Sequence, residues 1–222
     1  MSDGQTLEQL HLRVHEIYLS LQGESTFAGL PCVFVRTTGC PLRCVWCDTE
    51  HAFYGGEDHS VAAVLARALD FGVQLVEVTG GEPLAQRNVL PLMSALADAG
   101  RTVLLETSGA FDITPVDDRV HVIMDIKCPD SGEHDKNLWS NLDALRAKDE
   151  LKLVLASRRD YEFARDLIRE RGLAERCSVL LSTVWGGPAR ADVAAWILAD
   201  KLPVRFQLQM HKLIWDPEAR GV

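Results

Sequence analysis

The sequence contains no apolar run approaching the ~20 residues that a membrane-spanning helix needs. Its first ten residues lack the basic region and apolar stretch of a secretory signal. Basic residues are also in deficit, since 23 Lys and Arg stand against 32 Asp and Glu and the net charge is -9. A protein that binds duplex nucleic acid through its phosphates normally shows the opposite balance. We therefore expect a cytoplasmic protein that binds neither membranes nor nucleic acid directly.

Internal repeats, low-complexity segments and linkers are also missing from the 222 residues. This length is close to the ~100–200 residues of a typical domain. Hydrophobic residues make up 47% of the chain, which is enough for a large buried core. The sequence therefore predicts a single domain over residues 1–222.

Three of the six cysteines fall within eight residues, in the pattern Cys40-x3-Cys44-x2-Cys47. A chain of this length without a visible signal peptide is not expected to depend on disulfides. The close spacing instead favours thiolates that converge on one metal centre. The other three cysteines are interpreted as small apolar residues.

Two kinds of metal centre fit this loop. His51 follows Cys47 after three residues and completes a Cys3His set of the kind that binds structural zinc. The alternative is an iron–sulfur cubane held by three thiolates, which leaves one iron without a protein ligand. The loop residues alone do not decide between the two.

Strand-like and helix-like segments alternate between Val33 and Leu208. The predicted strands are residues 33–37, 75–78, 102–106, 120–126, 151–155, 179–181 and 204–208. The predicted helices are residues 61–69 (with Ser60 as N-cap), 89–99, 138–147, 161–171 and 192–199. The segment divides into six strand–helix pairs of ~29 residues, close to a βαβ unit, whereas a closed eightfold barrel needs ~250 residues. The sequence therefore predicts an α/β fold, a partial, open (β/α)6-type barrel with a parallel sheet.

Residues suited to chemistry follow the predicted strands. The cysteine loop (residues 38–50) follows the first strand, Thr79-Gly80-Gly81-Glu82-Pro83 the second and Glu106-Thr107-Ser108-Gly109 the third. Asp125-Ile126-Lys127 ends the fourth strand, and Ser182-Thr183 follows the sixth. In parallel α/β sheets, sites collect beyond the carboxyl ends of the strands. This arrangement predicts the active site of an enzyme at one rim of the sheet.

The cysteine loop, with Trp46 directly before its third cysteine, resembles the cluster loop of radical S-adenosylmethionine enzymes. Residues 79–83 resemble the GGEP motif of the same superfamily, and the two motifs occur in order, one strand–helix unit apart. The resemblance implies a [4Fe-4S] cluster held by Cys40, Cys44 and Cys47, with S-adenosylmethionine on the open iron, and it favours the cluster over zinc. It also implies that reductive cleavage of this cofactor yields a 5′-deoxyadenosyl radical.

A narrower resemblance is to the 7-carboxy-7-deazaguanine synthase family. It spans roughly residues 14–212 and rests on the following segments: Leu21-Gln22-Gly23-Glu24, Val33-Phe34-Val35-Arg36, Gly39-Cys40, Cys47-Asp48-Thr49, Glu106 to Gly109, Asp125 to Lys127 and Gln209-Met210-His211-Lys212. The resemblance implies conversion of 6-carboxy-5,6,7,8-tetrahydropterin to 7-carboxy-7-deazaguanine. The ring contracts, ammonia is released, and the product is a precursor of queuosine and other 7-deazapurines.

The same resemblance implies roles for single residues in cofactor binding. Thr49 would ligate a Mg2+ that also binds the substrate carboxylate, although a threonine in this context also suits a helix N-cap. The residues expected at the cofactor are Trp46, Cys47, Asp48, Gly81, Glu82, Asp125, Ile126, Lys127, Ser182, Thr183, Val184 and Trp185.

The resemblance also implies a set of substrate-binding residues, in part from a short N-terminal strand segment (12–24). Gln22 and Glu24 alternate, so both could face one side and pair with the donors and acceptors of a pterin edge. Arg36 suits a bidentate grip on a carboxylate. Without the resemblance, these residues would be interpreted as surface polar residues, and His211 as an interior histidine. The expected substrate-binding residues are Leu21, Gln22, Gly23, Glu24, Arg36, Thr79 and His211.

Two other functions remain open. A radical activating enzyme that acts on a partner protein would share the cluster loop but lack Gln22-Gly23-Glu24 and Thr49. A Cys3His zinc module would bind a protein or RNA. For the leading function, we expect a pterin substrate, an electron donor such as flavodoxin or ferredoxin, and a homodimer. Ten residues follow Lys212, and we assign them no contact with the substrate.

Overall fold

The computed structural model describes residues 4–222, so residues 1–3 of the predicted domain lie outside the described part. The strands are β1 (His11–Leu21), β2 (Pro31–Thr37), β3 (Glu57–Ser60), β4 (Leu75–Gly80), β5 (Thr102–Thr107), β6 (His121–Ile126), β7 (Glu150–Leu155), β8 (Ser178–Thr183) and β9 (Arg205–Phe206). The helices are α1 (Val61–Asp70), α2 (Val89–Asp98), α3 (Asn141–Ala144), α4 (Arg158–Arg171), α5 (Arg190–Asp200) and α6 (His211–Ile214). None of the helices within residues 4–222 is long and apolar enough to cross a membrane.

The strands form one sheet in the order β3-β1-β2-β4-β5-β6-β7-β8-β9. From β2 to β9 all neighbours pair in parallel, whereas β1 pairs antiparallel with both β2 and β3. Since β3 and β9 are the two edges, the sheet is open. The predicted partial, open barrel with a parallel sheet is confirmed. Strand β1 lies where the short N-terminal strand segment (12–24) was expected, although it ends at Leu21, whereas its antiparallel pairing and the edge strand β3 were not predicted.

Helix ends follow the predicted local signals. The Ser60 hydroxyl accepts a hydrogen bond from the Ala63 backbone N–H at 3.2 Å and begins α1. Helix α4 begins three residues earlier than predicted because Ser157 caps it by accepting from the Asp160 N–H. It ends at Gly172, whose φ of 59° is the left-handed conformation that glycine adopts readily.

Two predicted elements were wrong in extent. The predicted helix 138–147 is only the four-residue α3, because the Asn141 side chain donates to the carbonyl oxygens of Gly109 and Phe111. Its amide oxygen also accepts from the Ile113 N–H, so Asn141 ties the segment to the loop after β5. The predicted strand 204–208 contains only the two residues of β9.

The two faces of the sheet carry different side chains because residues alternate along a strand. The outer face packs against the helices in the main core, for example through Val78, Leu105 and Leu153. The inner face has a smaller apolar cluster that includes Phe34, Leu104 and Ile123. Two residues further along three of the strands, the inner face becomes polar. These positions are Arg36, Glu106 and Asp125. The apolar cluster therefore forms a floor, and polar residues stand above it towards the carboxyl ends of the strands.

Candidate active site

A cavity of about 640 Å³ opens above this floor, within the size range of small-molecule sites. It is lined by strand ends, the cluster loop, residues 21–24 and the C-terminal segment. The predicted site residues that line it are Leu21, Gln22, Gly23, Glu24, Arg36, Cys40, Cys44, Trp46, Cys47, Asp48, Thr49, Thr79, Gly81, Asp125, Lys127, Val184, Trp185 and His211.

Four other predicted residues lie behind the cavity wall. Ile126 belongs to the main core, and Ser182 and Thr183 are buried as the last two residues of strand β8. The Glu82 side chain is fully buried and accepts hydrogen bonds from the Thr107 hydroxyl and from Ser108. Any contact of Glu82 with a ligand would therefore run through its main chain.

The cluster loop is held against the residues that follow β4. The Glu82 N–H donates to the Gly39 carbonyl oxygen at 2.8 Å, and the Gly81 N–H donates to that of Thr37 at 3.2 Å. A Cβ on Gly81 would overlap the Gly39 carbonyl oxygen and lie 2.9 Å from the Cβ of Cys40. Glycine at position 81 therefore permits the close approach that places the two motifs side by side.

The donor set of the loop fits an iron–sulfur cluster better than zinc. Cys40, Cys44 and Cys47 are free, half-buried and face the cavity, and burial raises the pKa of the Cys40 and Cys44 thiols. Within residues 4–222, no three His, Cys, Asp or Glu side chains converge on a point where one metal ion could sit. His51 instead contacts the ring of His15 edge-on, with its Nε2 3.7 Å from Glu16. Three thiols without a fourth protein ligand match a cubane with one open iron.

Asp125 and Lys127 lie at the end of β6, on the cofactor side of the cavity. Lys127 Nζ pairs with Asp125 Oδ2 at 2.7 Å. The other oxygen, Oδ1, is buried and has no hydrogen-bond partner in the described part of the chain. An orphaned buried acceptor is costly, so a donor on a bound ligand would satisfy it.

Arg36 lies across the cavity and is held from behind by β1. Its Nε donates to Glu16 at 2.7 Å and its Nη2 donates to the Tyr18 hydroxyl at 2.9 Å. The pairing of β1 with β2 shifts register between Val14 and Glu16, which is the kind of bulge that re-aims side chains near active sites. The remaining N–H groups of Arg36 are available to a ligand carboxylate.

Thr49 occupies the N-cap position of a short 3₁₀ turn, yet its side chain makes no capping hydrogen bond. The hydroxyl lies 3.7 Å from the Cys47 sulfur, and the residue lines the cavity. Capping therefore does not explain this threonine, and its oxygen is free to ligate a cation beside the cluster loop.

Gln22 and Glu24 lie at the base of the cavity and contact each other. The Gln22 side-chain oxygen accepts from the Glu24 N–H, and its amide nitrogen donates to Glu77. Glu24 pairs with Lys152 at 3.1 Å and accepts from the Gln209 amide at 3.1 Å.

A group of charged residues, Glu77, Glu106 and Lys152, lies beneath Gln22 and Glu24. The sequence pointed to Glu106 through its motif but not to Glu77 or Lys152. Lys152 pairs with Glu106 as well as with Glu24. The available signal was a single charge in an otherwise apolar strand, as in Leu75-Val-Glu-Val78 and Leu151-Lys-Leu-Val-Leu155. Such a residue is exposed or faces a polar cavity, and here all three line the cavity.

The C-terminal segment closes the cavity from the opposite side. His211 packs against Gly23, where a Cβ would overlap the imidazole, and burial lowers the pKa of His211. Lys212 pairs with Asp48 of the cluster loop at 2.7 Å. Burial would raise the pKa of Asp48, but the Lys212 ammonium holds it below its ordinary value. Residues 217–222 also line the cavity, which the sequence did not predict.

The chain is similar in sequence and fold to known proteins. The family model described as the radical SAM superfamily matches residues 34–129. A 7-carboxy-7-deazaguanine synthase from Koribacter versatilis (strain Ellin345) is 45% identical over 226 residues, which cover 95% of this chain and 100% of the relative. One from Chlorobaculum tepidum is 46% identical over 214 residues, covering 95% and 97%. The crystal structure of QueE from Escherichia coli has a TM-score of 0.73 at 24% identity, covers 89% of this chain and 94% of that one, and supports the fold.

Proposed function

Because the chain belongs to the 7-carboxy-7-deazaguanine synthase family of radical S-adenosylmethionine enzymes, we propose that its cavity is the site of that family's reaction. The enzyme converts 6-carboxy-5,6,7,8-tetrahydropterin to 7-carboxy-7-deazaguanine with ring contraction and release of ammonia. The product is a precursor of queuosine and other 7-deazapurines. The observation that carries this function is a single cavity lined by both the three-cysteine loop and Gln22, Glu24 and Arg36.

The cofactor side of the cavity consists of the cluster loop and the ends of β4 and β6. Cys40, Cys44 and Cys47 would hold the [4Fe-4S] cluster, and the main chain at Gly81 would meet the amino-acid part of S-adenosylmethionine. When bound, the cluster and S-adenosylmethionine supply the carbon radical that removes a hydrogen atom from the substrate. Asp125 Oδ1 would accept a hydrogen bond from the cofactor, since it is buried without another partner among the described residues.

The substrate carboxylate lies between Arg36 and Thr49. Arg36 grips it with the N–H groups that Glu16 and Tyr18 leave free. The Thr49 hydroxyl would offer one oxygen ligand to Mg2+, an ion that often keeps water ligands and would help to orient the substrate. The protein thus fixes the carboxylated carbon close to the cluster loop, so that the reacting atoms are brought together.

The other end of the substrate, the pterin edge, lies over Gln22 and Glu24. A pterin presents amino and ring N–H donors that a carboxylate can accept, and a carbonyl oxygen that an amide can meet. His211 and the Thr79 main chain complete this side. Gln22 is only 3% exposed, so its amide would meet the substrate away from bulk water.

The reductant and the oligomeric state belong to the same proposal. A small redox protein such as flavodoxin or ferredoxin would approach over the cluster loop, where Val45 is 74% exposed. The open sheet leaves β3 and β9 as edges suited to pairing in a homodimer. Reduction of the cluster by purified flavodoxin tests the reductant. The molar mass measured by light scattering tests the homodimer.

The function is tested by an anaerobic assay. The protein is purified without oxygen, reconstituted with iron and sulfide, and mixed with dithionite, S-adenosylmethionine, Mg2+ and 6-carboxy-5,6,7,8-tetrahydropterin. We expect a brown protein and 7-carboxy-7-deazaguanine in the mass spectrum. A brown protein that releases only 5′-deoxyadenosine would contradict the substrate assignment. A colourless protein that holds one zinc ion would contradict the chemistry as a whole.

A further inference from the structure

Gln22 and Glu24, the two residues assigned to the pterin edge, are joined by a closed circuit of contacts through Glu77, Glu106 and Lys152 beneath them. Gln22 donates to Glu77, and Lys152 pairs with both Glu106 and Glu24. The Glu77 carboxyl lies against that of Glu106. The Glu24 N–H donates back to the Gln22 side-chain oxygen, which completes the circuit.

Lys152 is the cation of this circuit. Its side chain is 7% exposed and bridges Glu106 and Glu24, which reach it from β5 and from the segment after β1. Burial alone would lower the pKa of Lys152, but Glu106 and Glu24 together raise it well above its ordinary value. The ammonium therefore stays charged and offers each carboxylate a charge-assisted hydrogen bond.

The pKa values of two carboxyl groups in the circuit shift in opposite directions. Burial raises the pKa of Glu77 well above its ordinary value. Burial would likewise raise the pKa of Glu106, but Lys152 overrides the effect and lowers it. The Lys152 ammonium therefore lies between the carboxyl groups of Glu106 and Glu24 and contacts both.

We propose that Lys152 is a positioning residue that fixes the Glu24 carboxylate against the 2-amino and N3–H donors of the pterin, and so determines the preference for pterins over their 2-oxo analogues. This inference rests on the proposed function. A 2-oxo analogue, a lumazine, presents a carbonyl oxygen where the pterin presents its amino group. A fixed carboxylate accepts from the amino group and repels the carbonyl oxygen, whereas a carboxylate that has lost its cationic partner can turn away.

The test is equilibrium binding of two unreactive, oxidised ligands, 6-carboxypterin and 6-carboxylumazine, to the reconstituted enzyme. In Lys152→Met we expect the Kd of 6-carboxypterin to rise on the order of 30-fold, as for other lost partners of buried charge pairs. We expect the preference for the pterin over the lumazine to fall about tenfold, because Glu24 is no longer held in place. KM should rise with little change in kcat at saturation. A general loosening of the site would instead raise the Kd of both ligands by the same factor and leave the ratio of the two Kd values unchanged.

Three further variants keep the test decisive. Lys152→Arg retains the charge and should restore most of the pterin preference, whereas Lys136→Met removes an exposed lysine and should change neither ligand. Lys152→Gln keeps a hydrogen-bond donor without the charge, and it replaces Lys152→Met if the latter does not fold. An unchanged pterin-to-lumazine ratio in a folded, uncharged Lys152 variant would overturn the inference. Product formation by the wild-type enzyme is measured in a separate assay. Its absence would contradict the proposed function, whereas the binding ratio tests the role of Lys152.

Discussion

Single charged side chains on the inner face of the sheet determine what the cavity can bind. Arg36 is the clearest case, because its guanidinium is fixed by Glu16 and Tyr18 before any ligand arrives. Arg36 was expected at the site because of the family resemblance, since without it this residue would be interpreted as a surface polar residue. The sequence did not predict Glu16 or Lys152, because their partners lie far away in the chain and only the fold brings them together. A lone charge in an apolar strand indicates an inward polar residue but does not identify its partner.

Removing the support behind Arg36 should weaken substrate binding without touching the cofactor. In Glu16→Ala the guanidinium keeps only the Tyr18 contact and becomes mobile, so we expect about a tenfold higher Kd for 6-carboxypterin. The affinity for S-adenosylmethionine should not change. Titration calorimetry measures both affinities, with Glu57→Ala, an exposed carboxylate on the neighbouring strand β3, as the matched control. Equal weakening in both variants would show that Arg36 needs no support from Glu16.

The buried carboxyl of Glu77 should make stability depend on pH. Its pKa is raised by burial in the folded protein, so the folded state holds a proton that the unfolded state releases above about pH 4.5. Stability therefore falls as pH rises from there towards the folded pKa, by about 1.4 kcal/mol for each pH unit passed. In Glu77→Gln this dependence disappears, while the amide still accepts from Gln22. Urea unfolding measures the free energy of unfolding at pH 5 and pH 8. The value for Glu77→Gln, relative to the wild type, should be higher at pH 8 than at pH 5. A difference that does not change with pH would contradict the account.

At the scale of the elements, the site depends on how closely the cluster loop packs against the turn after β4. Both segments carried recognisable motifs, and the strands that place them were predicted to within two residues. The start of α1 and the end of α4 were also predictable, because the Ser60 cap and the Gly172 turn depend on local sequence, whereas the start of α4 was predicted three residues too late. The predicted helix 138–147 failed because Asn141 bonds to a distant loop, and no local pattern contains that information.

The contact between the loop and the turn gives a prediction about the cluster. In Gly81→Ala the new methyl group would overlap the Gly39 carbonyl oxygen and press on Cys40. We expect the folded variant to retain less than about half the iron and sulfide of the wild type, since a 1 Å displacement of one ligand is enough to weaken a metal site. Iron analysis and the visible spectrum after reconstitution measure the loss. Gly100→Ala, at a positive-φ glycine with no neighbour within 4 Å, is the control and should bind iron normally. Full iron content in Gly81→Ala would contradict the packing argument.

At the scale of the whole molecule, an open sheet leaves its inner face to be covered by other parts of the chain. The segment after β1 covers one side, and the C-terminal segment is fastened to it where the Met210 N–H donates to the Gly23 carbonyl oxygen at 2.9 Å. Residues 217–222 then line the mouth of the cavity. The fold class could be predicted from the alternation of strands and helices. The position of these covering segments could not, because a segment without hydrophobic periodicity carries no signal of where it packs.

Removal of the C-terminal residues that cover the cavity should uncouple the cleavage of S-adenosylmethionine from the formation of product. A chain that ends at Lys212 keeps His211 and the Lys212–Asp48 ion pair but lacks residues 217–222 at the mouth. Because closed sites suppress side reactions, we expect several times more 5′-deoxyadenosine per molecule of product. Chromatography of the two compounds gives the ratio, and circular dichroism checks that the truncated chain is folded. An unchanged ratio would mean that these residues do not shield the site.

A crystal structure of the anaerobically reconstituted enzyme with S-adenosylmethionine, Mg2+ and 6-carboxytetrahydropterin would show directly whether one cavity holds both cofactor and substrate. We expect a cluster on Cys40, Cys44 and Cys47 and the pterin in the same cavity. The pterin edge should lie against Glu24, and its carboxylate between Arg36 and the Mg2+ on Thr49. A pterin bound outside this cavity, or a single metal ion in place of the cluster, would contradict this expectation.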